Sequence, residues 1–179
     1  MKLYTIGHGN LDIEPFISIL RDNGIGWVAD VRSAPHSRMF PWFNKAPLAQ
    51  ALEDAGIRYL FLGSKLGGKP REDEAGGGGW TQGKLNPTLV SNLSRTPRWT
   101  EGIAYLADVV RSMDEENETG CLLCSEKDPN NCHRSLLSFQ MERTVPDLTI
   151  EHLGHDATTR EARFQNTLFE TSNERSDYH

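Results

Sequence analysis

Cys121-Leu122-Leu123-Cys124-Ser125-Glu126-Lys127-Asp128-Pro129-Asn130-Asn131-Cys132-His133-Arg134-Ser135 decides how the rest of the chain is read. Its first residues are apolar, few, and preceded by Gly120, the pattern of a buried strand. Lys127 to Asn131 is a turn by composition, with φ fixed at Pro129. From His133 to Arg143 the apolar residues Leu136, Leu137, Phe139 and Met141 recur roughly as in a helix. Cys124 and Glu126 therefore end a strand, and Cys132, His133 and Arg134 open the next helix. Backbone N–H groups and the positive end of the helix dipole gather in that gap. Two thiols, a carboxylate, an imidazole and a guanidinium exceed what a structural turn needs.

The same alternation runs outward from this stretch. Lys2 to Ile6 reads as a strand stopping at Gly7-His8-Gly9, and Phe16, Ile17, Ile19 and Leu20 give the following helix its apolar face up to Asn23-Gly24. Ile25 to Val31 is a second strand ending in Asp30-Val31-Arg32, Pro47 to Ala55 a helix, and Ile57 to Leu62 a third strand. Glu101 to Met113 is a helix, Leu148 to Leu153 a fifth strand, and Thr158 to Phe169 a last helix. These elements imply a three-layer α/β fold: a mainly parallel, five-stranded, Rossmann-like sheet with helices on both faces. The expected organisation is one domain over residues 1–170 and a polar tail over 171–179. Residues 64–100 form a Gly-rich insertion with Gly67-Gly68, the run Gly76 to Gly79, Trp80 and Trp99, and a short helix near Leu89 to Leu93. A cover hinged at Gly76 to Gly79, with Trp80 docking near the site, is one reading of it; a surface decoration is the other.

Register is the informative feature. His8, Asp30 with Arg32, Gly63, and Cys124 with Glu126 fall at strand carboxyl ends, where ligands of open parallel sheets bind. Numbering the five strands in chain order, the sheet order 3-2-1-4-5 brings these residues into one crevice and is expected here over 2-1-3-4-5.

The totals exclude several classes. The chain has 179 residues, 37% hydrophobic and 25% charged, with net charge -6. A broad duplex binder is usually basic, so this balance argues against one. Three cysteines make no disulfide framework. No apolar run approaches the ~20 residues of a membrane span. The reading is a soluble, cytoplasmic protein with reduced thiols.

Each candidate has a plainer counterpart. Gly63-x-x-x-x-Gly68-Lys69 begins like a phosphate loop, but Pro70 replaces the metal-holding hydroxyl, which rejects a nucleoside triphosphatase. Gly67 and Gly68 instead allow a tight turn or a close approach to a ligand. Cys121 and Cys124, three apart in a strand, point to opposite faces, so Cys121 belongs to the core. Cys132, beside His133 and Arg134 at a helix start, is a candidate nucleophile or a packed cap. Arg32, Arg38 and Arg134 clamp an anion, or Asp30 and Glu126 neutralise Arg32 and Arg134 in an ion-pair network. His36 and Arg38 near Phe40, Trp42 and Phe43 are a stacking surface for a base or loop packing. Cys124, Cys132 and His133, with His8, have the chemistry of a zinc site, although adjacent ligands strain tetrahedral geometry.

Thr5-Ile6-Gly7-His8, Asp30-Val31-Arg32 with Pro35 and Ser37, Leu66-Gly67-Gly68, and Cys124-x-Glu126-x-x-Pro129-x-x-Cys132-His133-Arg134 together resemble the bacterial and archaeal family called domain of unknown function 488. The resemblance spans roughly Lys2 to Val145 and implies an α/β domain, without an activity. Gly9 stands where the family pattern favours Ser.

Three functions remain open. The first is an enzyme, a hydrolase or transferase, acting on a small anionic, nucleotide-like ligand. Arg32, Arg38 and Arg134 with Gly67 and Gly68 would bind it; His8, Asp30, Glu126, Cys132 and His133 would be catalytic. The second is a non-catalytic module for a ligand or for nucleic acid. The third is a metal-binding protein built on Cys124, Cys132 and His133. The sequence names neither a cofactor nor an oligomeric state.

Overall fold

The central strand of the sheet is the cysteine strand, β6 (Thr119–Cys124), held between β1 (Lys2–Gly7) and β2 (Ile25–Asp30). The structure, a computed structural model, describes residues 1–69, 71, 80–81, 84–85, 92–156 and 159–161, with the backbone alone at 80–81, 84–85 and 159–161. β3 (Arg58–Phe61) pairs with β2, and β7 (Thr149–Leu153) pairs with β1, all parallel. β8 (Thr159–Glu161) adds antiparallel to β7, giving the order β3-β2-β6-β1-β7-β8. β4 (Trp80–Thr81) and β5 (Lys84–Leu85) form a separate antiparallel pair. The five parallel strands carry helices on both faces, so the three-layer α/β, Rossmann-like class holds.

Pleat alternation divides the two cores. Leu122 and Cys124 point into one, Cys121 and Leu123 into the other. The first core is covered by α3 (Gly63–Leu66), α4 (Pro97–Glu115) and α5 (Arg134–Thr144), through Leu66, Trp99, Leu106, Leu136 and Met141. The second is covered by α1 (Ile13–Asp22) and α2 (Lys45–Asp54), through Phe16, Leu20, Leu48 and Leu52. Gly120 is required here: a Cβ on it would lie 2.1 Å from the ring of Trp27 on the neighbouring strand.

Three expectations are corrected. The strand order is 3-2-4-1-5 for the five parallel strands, not 3-2-1-4-5, because β6 inserts between β1 and β2. β6, buried from Gly120 to Cys124, and β1, buried from Leu3 to Gly7, are both covered on two faces, so burial suits either strand to an inner position. Thr159 to Glu161 is a strand rather than part of a helix, since it completes the free edge of β7; the remainder of that expected helix and the tail lie outside the described residues. Helix α4 begins at Pro97, four residues before the expected start, because Thr96 and Pro97 supply the entry turn. The glycine run Gly76 to Gly79, and most of the short helix expected near Leu89, lie outside the described residues.

Candidate functional site

β6 carries Cys124 and Ser125 to the edge of the sheet between the ends of β1 and β2. There the chain leaves through a loop whose 3-10 turn (Pro129–Asn131) leads into α5. Asp128 closes the turn, accepting from the Asn130 N–H at 2.9 Å. Arg134 holds this loop from beneath. Its Nη1 donates to the Glu126 carbonyl and its Nη2 to the Lys127 carbonyl at 2.8 Å, with the guanidinium fully buried. Gly7 makes the arrangement possible, because a Cβ on it would sit 1.7 Å from the Glu126 carbonyl oxygen and 2.6 Å from Arg134 Nη1. Arg134 is thus placed under the site, not on its wall.

The wall encloses a cavity of about 430 Å³ lined by Arg32, His36, Lys69, Cys124, Glu126 and His133, with Ser33, Ala34, Gly68 and Ser125. That volume suits a small ligand. Arg32 is pinned by Asp30, with Nε to Oδ1 at 2.9 Å and Nη2 to Oδ2 at 2.7 Å, and the Arg32 N–H also donates to Oδ1 at 3.1 Å. Tyr59 adds a fourth bond, its hydroxyl donating to Oδ2 at 2.8 Å. Asp30 is therefore fully engaged as the holder of Arg32. Burial, followed by the Asp30 charge, pushes the Tyr59 hydroxyl well above the phenol range, so it stays a donor. Arg32 Nη1 has no hydrogen bond among the described residues, and Arg32 is one of the residues that line the cavity.

Cys124, Cys132 and His133 form the second feature of the wall. Their ligand atoms lie within 4.8 Å of one another, and all three residues are buried. His133 Nε2 donates to the Val31 carbonyl at 3.0 Å. A carbonyl only accepts, so that bond fixes a proton on Nε2 and leaves Nδ1 facing the sulfurs, 3.7 Å from Cys124 and 3.9 Å from Cys132. The adjacent residues converge because the backbone turns between them: Cys132 is extended (φ -135°, ψ 142°) and His133 helical (φ -62°, ψ -15°). A hydrogen bond from Cys132, together with the His133 and Arg134 charges, outweighs burial and holds Cys124 well below the thiol range. Burial and the Cys124 thiolate push Cys132 up. Burial pulls His133 down, but the Cys124 thiolate and the Val31 carbonyl more than offset it. Burial also raises Cys121, in the opposite core.

Other expected site residues fall elsewhere. His8 is buried but stands outside the thiol cluster; its Nδ1 donates to the Gly9 carbonyl at 3.0 Å and its ring stacks on Phe43 at 4.3 Å. Burial, then the Arg32 charge, lowers its pKa to about 4, so it is a neutral imidazole. Arg38 is exposed and off the cavity wall. Phe43 is fully buried and the Trp42 Nε1–H donates to the Leu11 carbonyl at 3.0 Å, so these rings pack the loop rather than offer a base-stacking face. Gly67 fits against Ser33, whereas Gly68 does belong to the cavity wall, against His133, where a Cβ would stand 2.6 Å from Nδ1. Gly9 adopts φ +52°, and a Cβ on it would stand 2.7 Å from the His155 ring, so a side chain here would be strained.

Several supporting residues, Trp99 apart, carried no sequence signal. The Ser33 hydroxyl accepts from the Lys69 N–H at 2.9 Å, and Arg98 on α4 donates to the carbonyls of Lys65, Gly67 and Lys69, so one helix end fixes the glycine wall. Trp99 donates to Gln140 across α4 and α5 and meets the His133 ring edge-on at 6.3 Å. His155 Nε2 donates to the Gly7 carbonyl at 2.7 Å. Lone polar residues without periodicity cannot be paired from sequence.

The site is carried by the segments that held the resemblance. The family described as "Domain of unknown function DUF488" matches residues 12–140. The chain belongs to this family. No curated protein and no solved structure matches it. Within the matched span, the DUF488 residues Asp30, Arg32, Gly68, Cys124, Cys132, His133 and Arg134 all belong to this corner of the fold. Among the described residues, no helix is long and apolar enough to cross a membrane.

Proposed function

We propose that the crevice binds a small anionic, nucleotide-like ligand and processes it by hydrolysis or group transfer. The observation that carries this reading is the placement of Arg32. Its buried guanidinium is locked from one side by Asp30, and the residue lines a cavity shared with Cys124 and His133. A planar guanidinium fixed in this way meets a phosphate or carboxylate with little further ordering. Lys69 adds a second cation to the wall, and Glu126 stands at the rim as a carboxylate able to move a proton. Cys124 and His133 are the reactive groups nearest to the ligand. Arg134, Asp30 and Gly7 act through the loop geometry as positioning residues.

Calorimetry with inorganic phosphate and nucleoside monophosphates tests this reading. Binding should weaken at least ~10-fold in Lys69→Ala, whose exposed side chain leaves folding intact, and should disappear in Arg32→Ala. Equal affinity in the wild type and both variants rejects the crevice as the anion site.

A further inference from the structure

We propose that Cys124 Sγ, Cys132 Sγ and His133 Nδ1 form a three-ligand site for one zinc-class divalent cation, with its open coordination position facing the crevice. The ligand set and spacing fit. Zinc takes thiolate at about 2.3 Å and imidazole nitrogen at about 2.0–2.1 Å, so a sulfur and a nitrogen at a tetrahedral angle stand ~3.5 Å apart. The observed separations from Nδ1 are 3.7 and 3.9 Å, and the three ligand atoms all lie within 4.8 Å. A cation at their centre needs only a small contraction.

Three further observations separate a metal site from packed cysteines. First, His133 is oriented as a metal ligand is, with its outer nitrogen tied to the Val31 carbonyl and its inner one aimed at the sulfurs. Second, the strain expected of adjacent ligands is relieved by the backbone turn at Cys132–His133, and Nδ1 is the nitrogen with the shorter reach. Third, Cys124 and His133 border the cavity, and Gly68 keeps the space beside Nδ1 clear of side chain. Two thiolates and a neutral imidazole also cancel a divalent charge, so the buried centre bears no net charge to desolvate. Three protein ligands with an open side is the arrangement of catalytic rather than structural zinc. The metal site stands on this geometry; its service as the reactive centre rests on the anion reading above.

The experiment is cobalt titration of the reduced, metal-stripped full chain, followed by X-ray absorption on the same sample. The expected result is uptake of about one ion per chain, with thiolate-to-cobalt charge-transfer absorption and a first shell containing two sulfurs. Cys124→Ser and Cys132→Ser should each weaken uptake by more than the ~10–100-fold lost with a supporting residue, whereas Cys121→Ala keeps it. The absorption experiment on the wild type needs no variant, so a poorly folding substitution does not decide the matter. No uptake by reduced wild type, a first shell without sulfur, or charge transfer that survives both serine variants overturns the proposal. Phosphate calorimetry on the same samples keeps the two readings apart. Cobalt uptake without phosphate affinity rejects only the anion ligand; phosphate affinity without cobalt uptake rejects only the metal.

Discussion

Arg32 and Asp30 face each other through two parallel hydrogen bonds of 2.9 and 2.7 Å, with both side chains buried. Removing either partner strands the other charge in the interior, which typically costs about 3–5 kcal/mol. Asp30→Ala should therefore lower unfolding free energy by that order in urea titrations. Tyr59→Phe, which removes one donor to the carboxylate, should cost about 1–3 kcal/mol. A neutral Asp30→Ala would show that the pair contributes nothing to stability.

Gly68→Ala is the substitution most specific for the thiol cluster. The added methyl would stand 2.6 Å from His133 Cγ and Nδ1, and the ring cannot retreat because Val31 holds its far side and Trp99 its edge. Cobalt affinity should fall at least ~10-fold, with a smaller change in the thermal midpoint. Unchanged affinity would mean that the backbone at Gly68 yields freely.

Alkylation reads the three cysteines separately. Cys124 borders the cavity, whereas Cys121 and Cys132 are fully buried. Iodoacetamide on the metal-free, folded protein should modify Cys124 first and Cys121 last, as peptide mapping would reveal, and added Zn²⁺ should protect Cys124. Early labelling of Cys121 contradicts this order.

His152 makes stability depend on pH. It is buried against Thr5, with Oγ1 2.5 Å from Nδ1; burial, then the Arg134 charge, lowers its pKa to about 4, and Asp128 opposes them only weakly. Because the folded state resists protonation while the unfolded chain protonates near pH 6.5, stability is retained above that value. It is lost as pH falls from about 6.5 to about 4, by at most ~3 kcal/mol. His8, also lowered to about 4, acts in the same direction. Denaturation midpoints between pH 7 and 4 for wild type and His152→Gln check this; identical slopes would remove His152 as a contributor.

Much of this corner was legible because strand ends and helix starts are marked by short apolar runs, Gly and Pro. The opposite facings of Cys121 and Cys124 follow from the period of two alone, and the convergence of Asp30, Arg32 and Cys124 follows from register. Strand order was not legible. Both 3-2-1-4-5 and the observed order bring β1, β2 and β6 together, and β1 and β6 are alike in being buried on both faces, so no local pattern separates the two orders. Arg134 was misplaced for another reason: residue type tells that a guanidinium will seek acceptors, but not whether these are a ligand or the carbonyls of its own loop. The holding contacts from Tyr59, Arg98 and His155 join residues distant in sequence, each by a single side chain, and no local pattern encodes them.

The central position of β6 governs when the site can exist during synthesis. β1 and β2 never pair with each other; each borders β6, which lies about a hundred residues further along the chain. Closing those contacts late gives the fold a high contact order, expected to slow its formation. A nascent chain that has not yet released residues 119–144 lacks the strand that joins β1 to β2, and with it Cys124, Cys132 and His133. Occupancy of the crevice would therefore report a chain in which β6 has paired with both β1 and β2, and a ligand or ion added during refolding would stabilise only such molecules.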